Sequence, residues 1–195
     1  LLHPVQGEER APYRTMTFSA FRGLLAGLWL FGTLSQAQAQ GSFPAVSGER
    51  SDGTVVELPK ASAGRYAIIC LAYGQKAGPL LEEWYGPAYL RFIAKHGLFA
   101  SEIDADVYFV PLFVGLNKAG YGPTMKKLRE EGDPDVAKRV VFLKGDHDGL
   151  REALGMKDKE APYVFVVDPQ GRIVHRTEGA YSDDKLDAIE EALAP

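Results

Sequence analysis

Ala161-Pro162-Tyr163-Val164-Phe165-Val166-Val167-Asp168-Pro169-Gln170-Gly171-Arg172-Ile173-Val174-His175-Arg176 is the stretch on which the fold turns. Tyr163–Val167 are five consecutive apolar residues of β-branched and aromatic type. Such a run is too short for a helix and reads as a strand covered on both faces. Asp168-Pro169-Gln170-Gly171 is a tight turn, with proline and glycine where a turn uses them. Arg172–Arg176 then return antiparallel, so the stretch is a β-hairpin that Pro162 opens.

Beyond the hairpin, Ser182 caps a last helix with Leu186, Ile189 and Leu193 on one face. On its N-terminal side, Val140–Leu143 is a short strand. Asp146 or Asp148 caps a helix to about Leu154, and Gly155 closes it. Val107–Val114 is a buried strand whose Pro111 requires a bulge or a strand end. Thr124 is placed to cap a helix through Glu131, with Met125 and Leu128 inward. Tyr66–Ala72 is almost continuously apolar and reads as a central strand; Val55–Leu58 is a shorter one after the Ser51-Asp52-Gly53-Thr54 turn. Between the two long strands, Pro79–His96 is a helix with Leu81, Trp84, Tyr85, Ala88 and Phe92 on one face. Gly86-Pro87 should kink it and Gly97 should end it. Parallel β-α-β units followed by a hairpin and a helix predict a three-layer α/β/α fold: a mixed central sheet with helices on both faces.

Three stretches resemble the redoxin branch of the thioredoxin superfamily, the exported TlpA- and ResA-like proteins. They are Phe43-Pro44 with Asp52-Gly53 and Val55-Glu57-Leu58, the strand Ala67–Ala72, and Ala161–Val174. The resemblance spans roughly residues 43–194. It implies a thioredoxin-like fold, and it implies that Pro162 is the superfamily's cis-proline beside the active-site loop; the alternative is an ordinary trans proline opening a strand. Redox-active relatives carry W-C-x-x-C after the second strand. Here that loop reads Tyr73-Gly74-Gln75-Lys76-Ala77-Gly78, with Gln75 and Gly78 at the cysteine positions. Thiol–disulfide exchange needs an attacking thiolate and a resolving thiol, and neither an amide nor a hydrogen side chain supplies one.

The chain has one cysteine, Cys70, inside the apolar strand and about five residues too early. It reads as a small buried hydrophobe. The alternative is a thiol-dependent oxidoreductase or peroxidase-like protein that uses Cys70 or a partner thiol. His147 lies in Gly145-Asp146-His147-Asp148-Gly149, where the aspartates read as helix caps rather than metal ligands, so no metal is assigned. His175 reads as a surface residue on its strand. The 117–123 loop is rich in glycine but lacks the Lys-Ser/Thr of a phosphate loop. Its Tyr121, with Tyr73 and residues 75–78, could line a recognition surface.

The net charge of −4 and the absence of a basic stripe argue against nucleic acid as a partner. Arg22, the apolar run 23–34 and Ala37-Gln38-Ala39 together read as a signal peptide over 16–39, cut after Ala39; the alternative is a retained anchor or a buried N-terminal helix. Residues 1–15 read as a disordered, over-extended start, and 40–195 as the thioredoxin-like domain. The expectation is an exported protein, periplasmic or secreted, with no cofactor and no stable membrane span after cleavage. It would be redox-inactive, acting as a binding, chaperone-like or assembly module on an envelope protein or peptide. Tyr73, Gln75, Lys76, Gly78, Ala161 and Pro162 would form its docking face. A different enzyme or a small-ligand carrier on the same fold stays open.

Overall fold

The computed structural model describes residues 41–94 and 104–194. The elements are β1 (Val46–Glu49), β2 (Val55–Leu58), β3 (Tyr66–Ala72), α1 (Ala77–Glu82), α2 (Tyr85–Ala88), β4 (Ala105–Phe113), α3 (Tyr121–Glu131), α4 (Pro134–Ala137), β5 (Leu143–Lys144), α5 (Asp148–Ala153), β6 (Tyr163–Val167), β7 (Ile173–Glu178) and α6 (Asp183–Leu193). The expected signal segment, the residues before it, and the expected helix end at Lys95–Gly97 lie outside the described residues.

β5-β4-β3-β6-β7 form one mixed sheet, while β1 and β2 form a separate antiparallel hairpin. β3 pairs parallel with β4 and antiparallel with β6, with Ile69 opposite both Tyr108 and Phe165. The period-two alternation of a strand explains why β3 is apolar throughout. Ala67, Ile69 and Leu71 face a core shared with Val56, Leu58 and Leu154. Ile68, Cys70 and Ala72 face a second core with Trp84, Phe92, Leu186 and Ile189. Helices cover both faces: α1, α2, α3 and α6 lie on the second, and α5 with the β1–β2 hairpin on the first. Each large side chain buried this way contributes about 1.5–3 kcal/mol.

The β6–β7 turn is built as its residues dictate. Gly171 has φ +82° and donates its N–H to the Asp168 carbonyl at 2.9 Å. Asp168 Oδ1 accepts from the N–H groups of Gln170 (2.9 Å) and Arg172 (2.8 Å), and Oδ2 accepts from Arg172 Nε (2.6 Å). Ser182 Oγ caps α6 by accepting from Lys185 N–H, and Leu186, Ile189 and Leu193 are buried as its spacing requires. Pro111 lies inside β4, two residues before its end, at the last pair of the β3–β4 ladder, Ala72↔Pro111. The N–H of Phe109 points to the β5 side, where it donates to the Arg139 carbonyl. Position 111 faces the same way, and β5 pairing begins only at Leu112↔Leu143. The missing donor therefore interrupts the pairing between the Phe109–Val140 bridge and β5, since a residue with an N–H at position 111 would donate to the Val141 carbonyl.

Three expectations need correction. The helix after β3 breaks at Glu83–Trp84, ahead of Gly86-Pro87, because Pro87 lacks the N–H that would bond the Glu83 carbonyl four residues earlier and crowds it. Trp84 N–H instead closes a tighter turn on the Leu81 carbonyl at 3.1 Å, and a π turn over Tyr89–Ile93 follows α2. Thr124 does not cap α3, because a 3-10 turn over Gly115–Gly120 runs directly into it. Pro123 then sits in its first turn, where no N–H is needed. The Ala161–Pro162 bond is trans; Leu58–Pro59 is the cis bond among the described residues. An X-Pro bond favours trans by roughly 0.5–1 kcal/mol unless its surroundings impose cis, and a sequence motif alone does not.

Candidate functional site

The 73–78 loop leaves β3 at the carboxyl ends of the two central parallel strands, where open α/β sheets place their ligands. Its first residue faces inward. Tyr73 is buried, its hydroxyl donates to the Met156 carbonyl at 3.1 Å, and the Arg151 guanidinium lies over its ring at 4.8 Å. Burial holds its phenol above the usual range. Gly74 is a close approach: a Cβ there would meet the Lys159 carbonyl oxygen at 1.6 Å, so the chain before β6 lies directly across the loop. Lys76 Nζ adds an exposed ion pair to Glu160 at 3.0 Å. Gln75 is exposed, and Gly78 opens on free space.

Ala161 is half-buried and Pro162 is buried, with the Pro162 carbonyl accepting from Gly179 N–H at 2.8 Å. The six residues expected to form one docking face therefore divide. Gln75, Lys76 and Gly78 face outward, while Tyr73 and Pro162 are spent on holding the loop and the sheet.

Cys70 lies behind this loop at 1% exposure, on the helix-covered face of β3. Burial pushes its thiol far above its ordinary pKa. A thiol that is neither ionised nor reachable is a poor nucleophile.

A cleft of about 680 Å³ opens between the loop, α1 and α2 on one side and the end of β4 with α3 on the other. Pro79, Tyr85, Leu112, Phe113, Leu116 and Leu128 give it an apolar lining, and Gln75, Glu82 and Lys127 stand among them. Leu116 is 98% exposed, which is exceptional for a leucine. The Tyr85 ring packs on Phe109 at 4.2 Å, and burial raises its phenol pKa. Asn117 Nδ2 reaches the Tyr73 carbonyl at 3.5 Å and ties the loop to the far wall. Sequence reasoning brought residues 75–78 and the 117–123 loop together but missed the α1, β4 and α3 walls of this groove. The local signal not used was Leu116, an apolar residue beside the glycine-rich loop.

The other candidates resolve into packing. Tyr121 donates to Glu49 Oε2 at 2.8 Å and stacks edge-on against Phe113 and Phe142. Asp146 Oδ1 accepts from Asp148 N–H at 3.0 Å in a local turn; the N-cap position of α5 is His147, whose side chain makes no cap bond, so neither aspartate is the cap expected. His147 is half-buried and its Nε2 has no partner; burial lowers its pKa. His175 is not the surface residue expected: it is half-buried opposite Val166, and burial lowers its pKa too. Among the described residues no cluster of His, Cys, Asp or Glu is placed to hold a metal ion, and no helix is long and apolar enough to cross a membrane.

No family model and no curated protein matches the chain. Solved structures do. The pneumococcal exposed lipoprotein thioredoxin of Streptococcus pneumoniae superposes with a TM-score of 0.54 at 17% identity, covering 76% of this chain and 99% of that one. The thioredoxin domain of a thiol-disulfide oxidoreductase from Bacteroides vulgatus gives 0.50 at 19% identity, covering 80% and 98%. StoA from Bacillus subtilis gives 0.51 at 12% identity, covering 79% and 99%. At these identities the likeness is one of fold. With the mixed five-stranded sheet and its flanking helices, it gives the chain a thioredoxin-like fold.

Proposed function

We propose that this chain is a thioredoxin-fold binding module of the cell envelope that holds a partner polypeptide by contact and carries out no dithiol redox step of its own. The observation that carries the reading is the fate of sulfur in the site. The loop offers Gln75 and Gly78 where exchange would need two thiols, and Cys70 is sealed inside the second core. Beside that loop lies an apolar groove with an exposed leucine, which fits apolar side chains of a partner segment. Because the Pro162 carbonyl is already paired to Gly179, docking would rest on the groove and on Gln75 and Gly78 rather than on strand addition at Pro162. The envelope assignment is supported by the signal-like pattern over 16–39 and by the likeness to an exposed lipoprotein of the same fold.

Selection of binding peptides on the purified domain tests this, followed by amide chemical-shift mapping of one selected peptide. The reading expects shifts at residues 74–79 and 112–120 and loss of binding in Leu116→Arg. Shifts elsewhere, or equal affinity in Leu116→Arg, would contradict it.

A further inference from the structure

The opposite end of the sheet carries a second cleft, of about 720 Å³, at the amino ends of β3 and β4. Five of its lining residues are cations: Arg50, Lys60, Arg65, Lys138 and Arg139. Two are carboxylates, Glu57 and Asp106. Partners inside and beside the cleft account for three of the cations. Lys60 pairs with Glu57 at 2.7 Å, Arg65 with Asp106 at 2.8 Å, and Lys138 turns out to Asp135 at 3.3 Å.

Arg50 and Arg139 remain. Among the described residues neither makes an ion pair within 4 Å, although the Arg50 charge acts on Asp52 nearby, and Arg50 Nε, like Asp106 Oδ2 of the same lining, is buried without a hydrogen-bond partner. A buried donor left unpaired in a protein of net charge −4 is a standing cost that an anion would remove. The phenol of Tyr108 also lines the cleft. It accepts from Ser62 Oγ at 3.3 Å and keeps its own proton to donate.

We propose that this cleft binds a phosphate monoester or diphosphate group, with Arg50 and Arg139 as its anchors. Planar guanidinium forks match phosphate oxygens in pairs, and a site with more cations than carboxylates suits a ligand of two or more negative charges. The volume exceeds that of the phosphate alone, so the group would be carried by a larger molecule, either a soluble organic phosphate or a lipid headgroup. This site is separate from the apolar groove and does not depend on the reading of that groove.

Calorimetric titration with pyrophosphate, and co-sedimentation with phosphatidic acid vesicles against phosphatidylcholine vesicles, test the two carriers. Saturable pyrophosphate binding assigns a soluble ligand. Sedimentation with phosphatidic acid alone assigns a headgroup. Either supports the proposal if Arg50→Gln and Arg139→Gln each weaken binding about tenfold or more while Lys127→Gln, in the other cleft, leaves it unchanged. Thermal unfolding checks that the variants fold. If Arg50→Gln does not, Arg139→Gln carries the test, because among the described residues its side chain makes no ion pair. No saturable binding of either probe at millimolar concentration, or binding retained by folded Arg139→Gln, overturns the proposal.

Discussion

The two ends of the sheet share β3 and β4 and differ in almost everything else. At the carboxyl ends the lining is Tyr85, Leu112, Phe113 and Leu116; at the amino ends it is Arg50, Arg65 and Arg139. The shared middle of the two strands is apolar and does not make this difference, although β4 itself brings Asp106 to one end and Leu112 and Phe113 to the other. The connections between strands make the rest of it. α2 brings Tyr85 and the turn after β4 brings Leu116 to one end, while the β1–β2 turn and the α4–β5 link bring Arg50 and Arg139 to the other. The scaffold fixes where a cleft opens, and the chain between elements fixes what the cleft is for.

Changes can be ranked by how much of this contrast they erase. Phe165→Ala removes a fully buried ring from the centre of β6, in the first core, and its edge contact with Phe43 at 6.0 Å. It should cost about 3–5 kcal/mol in denaturant unfolding and weaken both clefts together. A loss confined to one end would show that the two do not share a core.

Cys70→Ser comes next. It places a hydroxyl in an apolar site and should cost about 1–3 kcal/mol, whereas Cys70→Ala should cost less. A serine variant as stable as the parent would mean that the site is wetter than its burial indicates.

Asp168, in the β6–β7 turn outside both clefts, responds to pH. Burial alone would raise its pKa, but the Arg172 backbone N–H, the Arg172 side chain and the Gln170 N–H outweigh burial and hold it below the usual value. A carboxylate depressed in the folded state stabilises above its unfolded pKa, and that stability is lost as pH falls through the folded one. Asp168→Asn should therefore cost about 1–2 kcal/mol at neutral pH, and the gap from the parent should close below about pH 4. A gap that persists in acid would locate the effect in packing. Leu116→Ser is the mildest change. It should alter stability by less than about 0.5 kcal/mol while reducing peptide binding in the groove.

Legibility in the sequence followed locality. β3 and β6 are continuous apolar runs, and the β6–β7 turn carries its own proline, glycine and aspartate, so each announces itself within a few residues. β1 did not, because Val46-Ser47-Gly48-Glu49 holds one large apolar residue. It forms because Gly48 lets it lie against Val141 and Phe142, where a Cβ would meet Val141 Cγ1 at 2.5 Å, and because Glu49 and Phe142 exchange backbone hydrogen bonds. That residues 73–78 hold no cysteine could be read directly. The inward turn of Tyr73 could not, since its partner Met156 lies 83 residues away. The cationic cleft was invisible for the same reason: its arginines come from separate connections, and an acidic total charge says nothing about a local cluster.

The central claim is that the site works through contact rather than electron transfer. Reduction of insulin disulfides by the purified protein, in the presence of a small dithiol and beside the Cys70→Ala variant, measures this most directly. The account predicts that neither protein accelerates the reaction above the dithiol alone. Acceleration by the parent that disappears in Cys70→Ala would contradict it.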